Sequence, residues 1–149
     1  MRLLRILLCT VGIVAISVGV TACGDDDEET EEANAETVDV TGGDFSFELS
    51  ATPTAETKRL TFKNVGKEPH ELVFVKLNEG FSLEDAIAAE GEKGTTEDLG
   101  FTFAKPGEES KPIEVKQPLE PGNYAFICAI PYKGDPHYDL GMQEEFTIE

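Results

Sequence analysis

Apolar and polar residues alternate along most of residues 37–149, with the period of two that is typical of half-buried β-strands. Residues 72–75 and 124–130 are instead almost continuously apolar, as in strands that are covered on both faces. The pattern predicts seven or eight short strands, the one at 101–104 being the weakest: 37–41, 45–49, 60–63, 70–77, 101–104, 113–116, 124–130 and 145–149.

Glycine and proline mark the predicted turns between these strands. Gly42 and Gly43 are expected to divide the first two strands, which places Phe45 inside the second strand. Proline directly precedes glycine at 106–107 and at 121–122. That order suits a type II turn, because proline presets the first central residue and glycine supplies the positive φ of the second.

One short helix interrupts the strands. Ser82 is a candidate N-cap, and Asp85 stands three residues later as its partner in a capping box. The stretch 91–100, GEKGTTEDLG, is polar and is interpreted as an exposed loop. The apolar stripe of the helix consists of Leu83, Ala86 and Ile87.

Together these elements predict one all-β domain at residues 37–149. Its expected architecture is an antiparallel Greek-key β-sandwich or barrel of seven to eight strands with one short helix. A single domain also agrees with the total length of 149 residues.

Residues 1–22 have the organisation of a secretory signal peptide. Arg2 and Arg5 form a basic start, and residues 6–20 carry no charge but are too few for a comfortable membrane span. The following stretch, residues 20–24, resembles the lipobox of bacterial lipoproteins, which implies cleavage before Cys23 and lipid attachment to it. The alternative is an ordinary signal peptide followed by an incidental cysteine. The lipobox hypothesis predicts an extracytoplasmic protein that is anchored to a bacterial membrane.

Residues 23–36 are interpreted as a lipidated cysteine followed by a disordered tether. Residues 24–36 hold eight carboxylates in thirteen positions. Such a segment has too little apolar surface to fold, and its charges repel one another. Calcium binding is the alternative, but the alternating ligand positions of a calcium loop are absent.

The charge of the chain limits its partners. There are 12 basic and 30 acidic residues, for a net charge of −18. No basic face is available to meet phosphates, so an electrostatic nucleic-acid binder is excluded. Residues 37–149 contain ten basic and twenty-two acidic residues and keep a net charge of −12.

Residues that carry redox or metal chemistry are rare in the predicted domain. It contains one cysteine, two histidines and one methionine: Cys128, His70, His137 and Met142. These are too few ligands for a zinc ribbon, and no disulfide can form within the domain. One thiolate, two imidazoles and one thioether are, however, the ligand set of a blue-copper electron-transfer site.

Three segments resemble the cupredoxin family, which includes plastocyanin, amicyanin and azurin. Residues 62–74 are similar to the segment that bears the first histidine ligand, and residues 119–128 to the Pro-Gly-x-Tyr-x-Phe-x-Cys strand. Residues 137–142 keep a His-x-x-x-Gly-Met ending. The resemblance covers nearly all of 37–149 and implies one type 1 copper site, cycling between Cu(I) and Cu(II). Its implied ligands are His70, Cys128, His137 and Met142.

Two features depart from the family pattern. Eight residues separate Cys128 from His137, whereas family members usually have two to four there. Prolines at 131 and 136 and a glycine at 134 indicate a defined turn within this longer loop. Glu71 stands where plastocyanins often have asparagine. Two alternatives remain for its carboxylate, which either lowers the reduction potential or points to solvent.

The leading functional hypothesis is a membrane-anchored, monomeric carrier of single electrons that is not an enzyme. His137 is expected to be the ligand nearest solvent, within an apolar rim that docks redox partners. The negative domain would steer basic partners, such as a cytochrome or an oxidase with a basic patch.

Three alternatives stay open. A copper carrier that delivers metal to an oxidase would use the same residues, although the sequence lacks a Met-rich or His-rich tract. A thiol enzyme would use Cys128 as nucleophile and a histidine as base. A copper-free structural lipoprotein of the same fold is the third.

Overall fold

The structure is a computed structural model, and it describes residues 36–89, 94–116 and 118–149. The predicted signal peptide, the lipidation site Cys23 and nearly all of the tether lie outside the described residues. Over the ranges described, no helix is long and apolar enough to cross a membrane.

The described part of the chain consists mainly of strands. It contains ten strands, one α-helix and one 3₁₀ helix, His137–Leu140. In chain order the elements are β1 (Thr37–Gly43), β2 (Ser46–Leu49), β3 (Arg59–Asn64), β4 (His70–Leu77), α1 (Leu83–Ala88), β5 (Thr96–Ala104), β6 (Ile113–Glu114), β7 (Gly122–Ile127), β8 (Pro131–Tyr132), β9 (Asp135–Pro136) and β10 (Gln143–Ile148).

Two four-stranded sheets form the sandwich, with strand orders β2-β1-β3-β6 and β10-β7-β4-β5. The predicted all-β sandwich with one short α-helix is confirmed, and the two strands beyond the predicted eight are the short pair β8–β9. One pairing was not foreseen. Strands β1 and β3 run parallel, with Val40 beside Phe62, whereas the other pairs are antiparallel. Alternation indicates which face of a strand is buried, and it carries no information on strand direction.

Aromatic side chains fill the space between the sheets. Phe74 of β4 lies opposite Phe126 of β7, and their ring centroids are 5.2 Å apart. Tyr124 and Phe146 stack against the same cluster. The Tyr124 hydroxyl donates to the Glu120 carbonyl at 2.6 Å, which satisfies the one polar atom of this buried ring.

The predicted helix is confirmed with its capping box. Ser82 and Asp85 exchange the two hydrogen bonds that define it. Leu83 and Ala86 pack on the outer face of the second sheet, against Val75, Leu77 and Ala125. The helix therefore covers the second face of β7, which explains why that strand is almost continuously apolar.

The expectation of a loop at residues 91–100 is wrong for its second half. Strand β5 begins at Thr96 and pairs with the whole length of β4, from Leu77 opposite Thr96 to His70 opposite Ala104. The polar residues 97 and 98 are exposed because β5 is an edge strand. An antiparallel ladder needs only backbone partners, so a polar segment can join it.

The first turn also differs from the prediction. Gly42 and Gly43 belong to β1, and Gly43 pairs with Ser46, so Asp44 and Phe45 form the two-residue turn. Phe45 has a φ of +63° there. Gly42 serves close packing instead of the turn, since a Cβ at this position would lie 2.8 Å from the Phe62 ring.

Candidate metal centre

The four rare residues meet at one end of the sandwich. His70 is the first residue of β4, and Cys128 directly follows β7, which ends at Ile127 and not at the predicted residue 130. His137 begins the 3₁₀ helix, and Met142 lies between that helix and β10. All four side chains are at most 1% exposed. The second sheet and the connection that leads to its last strand thus contribute all four side chains to one buried site.

Three donor atoms converge within this site. The ligand atoms of His70, Cys128 and His137 all lie within 4.8 Å of one another. The Nδ1 atoms of the two imidazoles are 3.1 Å apart, and His137 Nδ1 is 3.3 Å from Cys128 Sγ. Met142 joins them through the backbone, donating its N–H to the His137 carbonyl and accepting from the Cys128 N–H.

The loop before His70 is held by a side chain that the sequence analysis did not identify. Asn64 is fully buried, and its Nδ2 donates to the carbonyls of Glu68 and Ala104 at 2.8 and 3.0 Å. Its Oδ1 accepts from the Gly66 N–H at 2.8 Å. A buried asparagine with all three bonds satisfied fixes the path of the backbone that leads to His70.

Gly66 leaves the room that the His70 imidazole occupies. A Cβ on Gly66 would lie 2.8 Å from His70 Nε2, closer than side chains tolerate. Within the described residues this Nε2 is buried without a hydrogen-bond partner. The ring is therefore positioned by packing on its Nε2 side, while Nδ1 faces the other donors.

The eight residues between Cys128 and His137 form a compact hairpin. Strands β8 and β9 pair across Lys133 and Gly134, which both have positive φ, as a tight primed turn requires. The His137 N–H donates to the Ile130 carbonyl, and the residue after His137 donates to the Cys128 carbonyl, each at 2.9 Å. The prediction of a defined turn is confirmed, and the long spacing brings His137 back to the thiol.

His137 is shielded from solvent more completely than predicted. The Phe45 ring packs edge-on at a centroid distance of 5.0 Å from the imidazole, and Tyr132 of the hairpin lies at 6.2 Å. His137 is consequently only 1% exposed. The alternation that assigned Phe45 to a strand gave no signal of this cover, because a turn position depends on the hairpin register.

Burial sets the protonation states of the metal-free site. It raises the pKa of the Cys128 thiol, with the backbone N–H of Glu71 opposing and its carboxylate adding to the rise. It lowers the pKa of His70 and of His137, and the charge of His137 lowers that of His70 further. A neutral thiol and two neutral imidazoles therefore face one another, and metal binding at the thiol releases its proton.

These donors fit copper. One soft thiolate and two imidazoles are the trigonal ligand set of a type 1 centre. The donor cluster described above contains all three, and no carboxylate belongs to it. The burial of all three keeps water from the metal position. Fold and site together define a cupredoxin, a β-sandwich protein with one type 1 copper site.

Comparison with known proteins gives the same class. Residues 34–149 match the model of the copper-binding proteins of the plastocyanin/azurin family. The chain belongs to this family and is a copper-binding electron-transfer protein. Among curated proteins no relative matches it.

Two solved structures of auracyanins are similar to the chain. Dithionite-reduced auracyanin from the photosynthetic bacterium Roseiflexus castenholzii shares 26% identity over 76% of this chain and 97% of its own, with a TM-score of 0.52. Auracyanin A, a "blue" copper protein from the green thermophilic photosynthetic bacterium Chloroflexus aurantiacus, shares 22% identity. That match covers 76% of this chain and 98% of auracyanin A, with the same TM-score, and supports the fold alone.

Proposed function

We propose that the protein is a membrane-anchored, extracytoplasmic carrier of single electrons whose copper ligands are His70, Cys128, His137 and Met142. The observation that carries the proposal is the convergence of three buried soft and borderline donors within 4.8 Å at one end of a rigid sandwich. Bound copper supplies a one-electron couple between Cu(I) and Cu(II). The chain supplies a fixed set of ligands that both oxidation states accept, so little rearrangement accompanies electron transfer.

Each side chain has its own role in this proposal. Cys128 gives the strong thiolate bond, and it is oriented by the end of β7 and by the Glu71 N–H, which donates to its Sγ at 3.4 Å. His70 and His137 would each present Nδ1, and these two atoms lie 3.1 Å apart. Met142 would supply a weak thioether ligand, and its Cε lies close to Gly42 of β1.

Burial favours electron transfer over the alternatives. A carrier that hands over its metal needs ligands that a partner can reach, and all four side chains here are buried. A thiol enzyme needs an accessible thiolate of low pKa. Burial instead raises the pKa of Cys128 and removes the thiol from contact with substrates.

Two surface features support transient redox partners. Val65 and Leu140 are exposed apolar residues on the loops that carry His70 and His137. Electrons would enter or leave through this end of the sandwich, which carries the proposed ligands. The net charge of −12 on residues 37–149 steers basic partners, such as a cytochrome or a basic patch on an oxidase.

The proposed anchor is supported by sequence alone. The apolar run at 6–20 ends in small residues before Cys23, and the acidic stretch that follows would hold the domain away from the membrane. The mature protein is expected to begin at a lipid-modified Cys23. Mass spectrometry of the N-terminal peptide from the membrane fraction tests this, and an unmodified N-terminus would overturn it.

Copper titration of the full-length protein tests the function. Cu(II) added to the metal-free protein should produce an intense thiolate-to-copper charge-transfer band that saturates at one equivalent. The loaded protein should then exchange electrons with a basic cytochrome at a rate that falls as ionic strength rises. Copper binding without the band, or transfer of the metal without electron exchange, would contradict the proposal.

Replacing Met142 by leucine is expected to keep copper and raise the reduction potential. Leucine has nearly the same volume, so the loss of stability should stay below about 1.5 kcal/mol. The thioether that donates to the oxidised metal is lost, which favours Cu(I). Redox titration of the variant checks this prediction, with the visible spectrum as the control that the thiolate bond remains. A potential equal to that of the unmodified protein would show that Met142 is not a ligand.

A further inference from the structure

Glu71 contacts the Cys128 segment at two points. Its backbone N–H donates to Cys128 Sγ at 3.4 Å, and its side-chain Oε1 accepts from the Ala129 N–H at 3.0 Å. One residue thus bonds both the thiol and the peptide group that follows it. The alternative that this carboxylate simply points into solvent does not agree with these contacts.

The position of Glu71 in β4 explains both contacts. Because neighbouring strand residues face opposite sides, His70 and Leu72 point into the core while the Glu71 side chain lies on the outer face. There it reaches past the end of β7 to the first residue after Cys128. The start of β4 and the start of the hairpin loop are therefore joined beside the thiol.

The Glu71 carboxylate forms no ion pair with a lysine, arginine or histidine over residues 36–89, 94–116 and 118–149. Its nearest strand neighbour is Phe103 of β5, which is apolar. The half-buried side chain keeps some distance from bulk water, so its charge is screened less than that of a fully exposed group.

We propose that Glu71 is a positioning residue of the copper site that acts in two ways. Its side chain clamps the segment after Cys128 in the geometry that the thiolate needs. Its fixed negative charge favours the oxidised site, which carries one more positive charge than the reduced site, and so lowers the reduction potential. When a partner donates one electron, only the metal changes its charge, and no bond to Glu71 forms or breaks.

This inference rests on the proposed assignment of Cys128 as a copper ligand. Two variants separate the clamp from the charge. Glu71→Gln keeps an oxygen that accepts from the Ala129 N–H but removes the charge, whereas Glu71→Ala removes both. Glu144→Gln is the matched control, because it loses the same charge from an exposed position in β10.

The clamp is measured on the metal-free, full-length protein by amide hydrogen exchange at Ala129. Glu71→Ala should speed this exchange about tenfold, as expected for the loss of one hydrogen bond, while Glu71→Gln should leave it within about twofold. The exchange of core amides reports whether each variant stays folded. Unchanged exchange at Ala129 in the alanine variant would overturn the proposal.

The charge effect is measured on the copper-loaded protein by redox titration. Glu71→Gln should raise the reduction potential with its blue band retained, and Glu144→Gln should leave the potential unchanged. An unaltered potential in Glu71→Gln, or an equal rise in Glu144→Gln, would overturn the proposal. If the unmodified protein shows no blue band, the ligand assignment fails, and the exchange at Ala129 still decides whether the clamp exists.

Discussion

Substitution of Cys128 by serine is expected to abolish the intense visible band of the copper-loaded protein. The band arises from charge transfer between thiolate and copper, and serine supplies no thiolate. Serine is similar in size, so the packing around this fully buried position should persist. Absorption spectra of the unmodified and serine proteins at equal copper loading measure the effect.

A matched control is provided by a substitution at Met142, another proposed ligand of the same site. Met142→Leu alters the same buried site but leaves the thiolate, and its band should remain. Circular dichroism of the metal-free serine variant verifies that the sandwich has folded. A serine variant that keeps the band would show that Cys128 is not the thiolate ligand.

Phe74→Ala is expected to reduce the free energy of unfolding by about 3–5 kcal/mol. Phe74 is fully buried and contacts the rings of Tyr124, Phe126 and Phe146 at centroid distances of 5.2–6.3 Å. Truncation leaves a cavity between the sheets that these rigid rings cannot fill. Urea denaturation of the metal-free protein measures the loss.

The matched substitution for this test is Phe101→Ala on the neighbouring strand. Phe101 is 70% exposed, so its removal should change the free energy of unfolding by no more than about 0.5 kcal/mol. Equal losses for the two variants would show that the aromatic cluster is not the centre of the core. The denaturant dependence of unfolding should stay the same in both variants if the transition remains two-state.

Sequence patterns correctly predicted the features that depend on residues close together in the chain. The capping box of Ser82 and Asp85 involves residues three positions apart, so the sequence contains both partners. Tyr124, Phe126 and Cys128 share one face of a strand by the period of two, and all three are buried in one cluster. The prediction of copper chemistry followed from composition, because one cysteine, two histidines and one methionine are the ligand set of a blue-copper site.

Local patterns failed where a residue depends on a distant partner. The polar residues at 96–98 form strand because their backbone groups pair with those of β4. Side-chain alternation carries no information on this backbone pairing. Phe45 lies in a turn because Gly43 pairs with Ser46, and a shift of one residue moves every side chain to the other face. The packing of Phe45 against His137 could not be predicted for the same reason.

The sequence by itself determined the class of fold, the buried face of most strands and the four residues that are proposed to bind copper. The tertiary structure decided which strands are neighbours, how the hairpin at 131–136 returns His137 to the thiol, and how deeply the donors are buried. It also showed that Glu71 bonds to the Cys128 segment instead of facing solvent alone. The division has one physical cause: periodicity records contact with an apolar core, whereas hydrogen-bond partners and metal geometry arise between segments that are far apart in the chain.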